Sequence, residues 1–152
     1  MGDTNNISKE IHKKLAMDTF NKTWDYLDKQ NRTETDNVEM IHTAHASRYH
    51  WGQVGKPLEL QRGEWQISRV YAVLGMGESA LYHAEIALKT CQEKGIGDFD
   101  LAFAYEAVAR AFSIMKNHSE KEKHLALAKE AGQKITDKDN REYFMSELDS
   151  IR

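Results

Sequence analysis

The sequence predicts an all-α protein, and three observations lead to that prediction. Apolar residues recur every three or four positions in seven successive segments, which is the spacing of one helix face. Only one proline occurs among the 152 residues, so nearly every segment lacks the residue that most strongly interrupts helices. No segment alternates apolar and polar residues over a sustained length, so the pattern predicts no β-strand.

Short polar or glycine-containing links separate the predicted helices, which together form a single domain over residues 1–152. The predicted helices cover residues 7–29, 34–51, 58–74, 78–93, 99–116, 119–134 and 137–151. Pro57 opens the third helix without losing a hydrogen bond, and Asp98 is the predicted N-cap of the fifth. The fifth helix is apolar almost all round and is therefore expected to be central. Because the links are short, neighbouring helices are expected to lie antiparallel.

Charge, hydropathy and cysteine content restrict the classes of partner and location. The 24 acidic and 21 basic residues are mixed along the chain, so no domain-wide positive field is available for nucleic acid. No run approaches the ~18 apolar residues of a membrane span, and the polar residues 1–6 do not resemble a secretion signal. Cys91 is the only cysteine, which suits a reducing compartment, so a cytoplasmic location without membrane attachment is expected.

A shift of 41 residues aligns the third and fourth predicted helices with the fifth and sixth. The informative coincidences are two arginines and two histidines, since Arg69 falls on Arg110 and His83 on His124. Any two amphipathic helix pairs match at some apolar positions, so these polar matches carry the prediction of an internal repeat.

Within each copy the spacing resembles the tetratricopeptide repeat, a helix-turn-helix unit. The second copy reads Tyr105-x2-Val108-Ala109-x2-Phe112, and the first reads Glu64-x2-Ile67-Ser68-x2-Tyr71. The resemblance covers about residues 60–132. Its period of 41 residues exceeds the usual figure of about 34, the closing proline is absent, and Glu64 replaces an aromatic residue. The resemblance implies helix pairs stacked as a right-handed array.

The resemblance further implies a groove between helices 2, 3 and 5, because the first helix of each pair lines the concave face of such arrays. The predicted groove residues are Arg48, Arg62, Trp65, Arg69, Phe103, Glu106, Arg110 and Ser113. Guanidinium groups bind carboxylates at two points and stack on aromatic rings, so the groove suits an acidic or C-terminal peptide segment. The alternative is an ordinary solvated stripe with a local ion pair between Glu106 and Arg110, four residues apart.

A second candidate cluster lies at the end of the second helix, where residues 42–51 include three histidines, one arginine and two aromatic residues. The apolar stripe of this helix continues through Arg48, whose guanidinium group then needs a buried carboxylate; Glu64 is the predicted partner. The pair either fixes the register of two helices or forms the polar floor of a ligand pocket. His45, His50 and Trp51 would complete such a pocket.

The sequence carries no motif that names a cofactor, a metal site or a catalytic residue. Glu39-x2-His42 matches half of a di-iron site, but no second such pair is present, so no metal site is predicted. Cys91 lies eight residues from His83, about 12 Å along a helix, and is expected to be a small buried hydrophobe. Phosphate-loop, dinucleotide-binding and nucleophile-elbow patterns are missing.

Three functions therefore stay open. The first is a noncatalytic interaction module that holds a peptide or protein segment in the arginine and aromatic groove. The second is a small-molecule-binding protein or enzyme that uses the cluster of His45, Arg48, His50, Trp51 and Glu64. The third is self-association into a homo-oligomer.

Overall fold

The structure is a computed structural model that describes residues 7–152, and in this range it contains seven helices and no strand. They are α1 (Lys9–Leu27), α2 (Glu34–Val54), α3 (Pro57–Val73), α4 (Gly77–Lys94), α5 (Asp98–Ile114), α6 (His118–Gln133) and α7 (Lys138–Asp149). The all-α prediction is confirmed, and every helix end lies within three residues of its predicted position. Residues 1–6, on which the expectation of no secretion signal depended, lie outside this range. Between residues 7 and 152, no helix combines the length and hydropathy required to span a membrane.

Each helix packs against the next one along the chain, as expected of a stack of antiparallel pairs. The helix α5 also contacts α3 and α7, so it has neighbours on four helices. Its buried residues surround most of its circumference, and five of them are alanines: Ala102, Ala104, Ala107, Ala109 and Ala111. Their small side chains let the neighbouring helices approach closely, and the predicted central position of this helix is confirmed.

The pairs α3–α4 and α5–α6 have matching geometry at the 41-residue shift. The shift places both ends of α3 on those of α5, and the start of α4 on the start of α6. Between the helices of each pair, one residue has positive φ: Gly75 at 74° and Lys116 at 59°. The ring of His83 stacks on Tyr71 with 5.8 Å between centroids, and His124 lies 5.4 Å from Phe112. These contacts are consistent with the predicted internal repeat.

The residue with positive φ differs between the two turns, and the effect of this difference on stability can be measured. A side chain in the left-handed conformation costs about 1–2 kcal/mol, which glycine avoids. We expect Lys116→Gly to raise the free energy of unfolding by about 0.5–1 kcal/mol, and Gly75→Ala to lower it by about 1 kcal/mol. No atom lies within 4 Å of a Cβ built at Gly75, so its cost would be purely conformational. Urea unfolding of both variants measures this; a loss of stability in Lys116→Gly would contradict the prediction.

The helix α7 is attached to the body of the protein by a hydrophobic core shared with α5 and α6. Phe144 and Leu148 of α7 are buried against Phe103 and Ala128. Gly132 on α6 allows this approach, because a Cβ there would lie 2.2 Å from the ring of Phe144. The core thereby places α7 beside α3 and α5, where it forms one wall of the cleft described next.

Candidate binding cleft

A cleft of about 490 Å³ lies between α1, α3, α5 and α7. Among residues 7–152, six aromatic residues line it: Phe20 and Trp24 of α1, Trp65 of α3, Phe99 and Phe103 of α5, and Tyr143 of α7. The polar lining consists of Gln61, Arg62, Asp100 and Asn140. Clefts of a few hundred Å³ with mostly apolar walls and a few polar groups are typical binding sites for small molecules or peptide side chains.

Trp65 is the centre of the aromatic wall. Its ring centroid lies 6.0 Å from that of Trp24 and 5.7 Å from that of Phe103, which it meets edge to face. The guanidinium carbon of Arg69 lies 5.1 Å from the Trp65 ring centroid, within the range of a cation–π interaction. Neighbours on α1, α3 and α5 therefore surround this ring and restrict its orientation.

Arg62 and Asp100 form a two-point ion pair beside the aromatic wall. The Arg62 Nε atom donates to Asp100 Oδ1 at 2.9 Å, and Nη2 donates to Oδ2 at 3.0 Å. The hydrogen bonds to Asp100 raise the pKa of Arg62. This pair joins α3 to α5 and neutralises the two formal charges that line the cleft.

The predicted groove arginines Arg69 and Arg110 bind acidic residues of the same chain. Glu106 is fully buried, and it accepts a hydrogen bond from Arg110 Nε at 2.7 Å and from Arg69 Nη2 at 3.4 Å. Arg69 Nη1 also donates to Glu147 of α7 at 3.3 Å. The ion pair expected between Glu106 and Arg110 is therefore present, but these two arginines do not line the cleft.

The same cluster holds the end of α7. Arg110 Nη2 donates to the carbonyl oxygen of Glu147 at 3.1 Å and to Ser150 Oγ at 3.0 Å. Ser113, another predicted groove residue, donates its hydroxyl to the carbonyl oxygen of Arg152. Arg110 and Ser113, which were predicted to bind a ligand, thus bind the end of α7 and the residues that follow it.

Arg48 belongs to a separate polar network on the other side of α3. Its Nε donates to Glu64 Oε1 at 3.0 Å, so the pair expected from the sequence is formed. Glu64 also contacts His83 Nδ1 at 2.7 Å, and His45 Nε2 contacts the hydroxyl of Tyr71 at 2.9 Å. Burial and the nearby His83 lower the pKa of His45, which favours its neutral form. These groups pair with one another across α2, α3 and α4. The contacts therefore favour a pair that fixes the register of the helices over the polar floor of a ligand pocket.

The position of this network follows from the helical period. Arg62 and Glu64 are two residues apart, which places their side chains about 200° apart around α3. One faces the cleft and the other faces α2 and α4. Arg48 therefore does not share a cavity with Arg62 and Trp65.

His50 and Trp51 are not part of the network of Arg48. His50 Nδ1 lies 2.8 Å from His12 Nδ1 on α1, and burial together with this neighbour lowers the pKa of His50. Trp51 is half-buried, and its carbonyl oxygen accepts the hydrogen bond of Gly55 that ends α2. The predicted secondary cluster is therefore divided between two places on the molecule.

Several cleft residues were not predicted from the sequence, among them Trp24, Gln61 and Tyr143. Two of them lie on the first and last helices, whose place relative to the repeat is not encoded in any local pattern. Gln61 could have been predicted as a cleft residue, because it lies one helical turn before Trp65 on the same face of α3. Its side chain is 1% exposed, and among the described residues its Oε1 has no hydrogen-bond partner.

The described part of the chain offers little for metal or thiol chemistry. Between residues 7 and 152, no group of three or more His, Cys, Asp or Glu side chains is placed to hold a metal ion. Cys91 is buried, and burial raises the pKa of its thiol to about 12. It therefore stays protonated at neutral pH and is a poor nucleophile.

Comparisons of the chain with protein-family profiles, with curated proteins and with solved structures give no match.

Proposed function

We propose that the protein is a noncatalytic interaction module that binds a peptide or protein segment in the cleft between α1, α3, α5 and α7. The observation that carries this proposal is the cleft itself, in which six aromatic rings surround about 490 Å³. Aromatic side chains dominate the binding energy of many interfaces, because they bury a large area at a low cost in conformational entropy.

Contacts within the protein hold the side chains in and around the cleft in place, and this supports the same function. Arg69 packs on Trp65, Arg62 is held by Asp100, and Glu106 joins Arg69 to Arg110. Side chains that are already held in place lose little freedom on binding, which raises affinity. In this proposal Arg62 and Trp65 contact the partner, whereas Arg69, Glu106, Arg110 and Ser113 support the walls.

Two broader features belong to the proposal. The helix pairs form a divergent tetratricopeptide-like array, for which the matching turns at Gly75 and Lys116 are the support. A cytoplasmic location is proposed because the single cysteine, Cys91, is a buried free thiol.

Two exposed tyrosines provide a matched test. Tyr143 lines the cleft and is 51% exposed, whereas Tyr82 is 65% exposed and does not line it. Peptides would be selected from a random display library on the full chain, and their affinity measured by tryptophan fluorescence, since Trp24 and Trp65 both line the cleft. Tyr143→Ala is expected to weaken binding by at least about tenfold, and Tyr82→Ala to leave it unchanged.

Other effects of the two tyrosine substitutions would contradict peptide binding in the cleft. If Tyr82→Ala weakens binding as much as Tyr143→Ala, or if neither does, the selected peptides bind elsewhere. Both side chains are substantially exposed, so neither substitution should compromise folding, and circular dichroism checks this.

A further inference from the structure

Resting on the proposed function, we infer that the cleft selects an uncharged peptide segment with an aromatic residue, and that Gln61 accepts a hydrogen bond from its main-chain amide. Three properties of the lining residues lead to this inference: their charge, their unpaired polar atoms and their rings.

We use the word anchor for the peptide side chain that enters the cleft. The charges of the lining residues disfavour a charged side chain as the anchor. Among the described residues that line it, Arg62 and Asp100 are the charged ones, and they bind each other through two hydrogen bonds. A carboxylate or ammonium group that entered the aromatic part would lose hydration without meeting an unpaired counter-charge. An uncharged side chain avoids this cost.

The unpaired polar atoms match a peptide bond. Among residues 7–152, three side-chain polar atoms are buried without a hydrogen-bond partner: Gln61 Oε1, Trp65 Nε1 and Gln66 Oε1. Gln61 and Trp65 line the cleft, whereas Gln66 does not. Of the two cleft atoms, Gln61 Oε1 is an acceptor and Trp65 Nε1 is a donor. A peptide bond supplies one donor and one acceptor, so main chain beside the anchor residue would satisfy both atoms. Buried polar groups in folded proteins are usually paired, so the absence of partners here points to a ligand.

The rings favour an aromatic anchor. Trp65 and Phe103 already meet edge to face, and Phe99 lies 4.6 Å from Phe103 between centroids. An added aromatic ring would find both ring faces and ring edges in this wall, which is the arrangement that aromatic pairs prefer.

The test uses defined peptides and the full chain. Acetylated and amidated pentapeptides with two glycines on each side of Tyr, Leu, Glu or Lys are titrated by calorimetry at millimolar concentration. The Tyr peptide is expected to bind more tightly than the Leu peptide, and at least about tenfold more tightly than the Glu and Lys peptides. Methylation of the tyrosine main-chain nitrogen, which removes the N–H donor, is expected to weaken binding about three- to tenfold.

The variant Gln61→Leu distinguishes recognition from a structural role. Leucine is similar in size and removes a buried unpaired acceptor, so we expect the Tm to rise. Affinity for the Tyr peptide is expected to fall about three- to tenfold, and N-methylation should then have no further effect. Gln53→Leu, at an exposed position on α2, is the control and should change neither quantity.

Each other outcome overturns the inference. Equal binding of the Tyr and Leu peptides, or of the Tyr, Glu and Lys peptides, would show that the cleft does not select an uncharged aromatic side chain. Undiminished binding by Gln61→Leu would show that Gln61 does not bind the main-chain amide. Absence of binding by all four peptides would overturn both parts of the inference. The proposed function would survive these results if display-selected peptides without an aromatic residue still depend on Tyr143.

Discussion

Replacing both Arg69 and Arg110 by methionine is expected to lower the free energy of unfolding by about 3–5 kcal/mol. The change leaves the carboxylate of Glu106, which is 0% exposed, without a cation. An uncompensated buried charge is costly, because it has lost its hydration and gains nothing in return. Urea unfolding followed by circular dichroism measures the effect.

A second substitution identifies the buried charge as the cause. Glu106→Gln in the double variant removes the charge and keeps the shape, so it should restore a substantial part of the lost stability. Equal stability of the double and triple variants would mean that lost packing of the arginine stems, rather than the stranded carboxylate, is responsible.

Phe144→Ala is the second substitution with a large expected effect, a loss of about 3–5 kcal/mol. The ring of Phe144 is fully buried and meets Phe103 edge to face at 4.9 Å between centroids. Its removal leaves a cavity between α5, α6 and α7. Thermal and urea unfolding should both report the loss in a single transition, because α7 shares this core. A separate early transition for α7 would contradict that expectation.

Gly132 offers an internal control for the same contact. In the natural protein, Gly132→Ala is expected to cost about 1–3 kcal/mol, because the added Cβ would overlap the ring of Phe144. In the Phe144→Ala background the overlap is gone, and alanine is a better helix former than glycine by about 1 kcal/mol. There the same substitution should be neutral or stabilising. Additive effects of the two substitutions would show that these residues do not touch.

The helices were predictable because the signals that define them are local. Pro57 begins α3, and Lys94 and Gly95 end α4, as expected from the chemistry of helix termini. The errors arise where tertiary contacts override these local signals. The second helix was expected to end before Gly52 but continues to Val54, because the cost of one glycine, about 1 kcal/mol, is small beside tertiary packing.

The fifth helix shows a tertiary contact overriding a capping rule. Asp98 was the predicted N-cap, but Gly97 takes that position and Asp98 is the first helical residue, with φ of 56°. The Asp98 carboxylate instead accepts a hydrogen bond from the hydroxyl of Thr136 at 2.8 Å. A partner 38 residues further along the chain cannot be identified from the capping pattern alone.

The candidate site was predictable only in part, for reasons of distance along the chain. The pairs Arg48–Glu64 and Glu106–Arg110 followed from apolar stripes and from four-residue spacing. That Arg69 binds Glu147 did not follow, because the two residues are 78 positions apart. The sequence indicated which arginines face inward but not that α7 would supply their partner.

The most direct test of the cleft as a binding site is nuclear magnetic resonance of the ¹⁵N-labelled full chain during titration with a display-selected peptide. The three tryptophan side chains give separate indole N–H signals and mark two regions of the molecule. We predict that the signals of Trp24 and Trp65, which line the cleft, shift on binding and that the signal of Trp51 does not. A shift of the Trp51 signal alone, with Trp24 and Trp65 unchanged, would contradict the proposal.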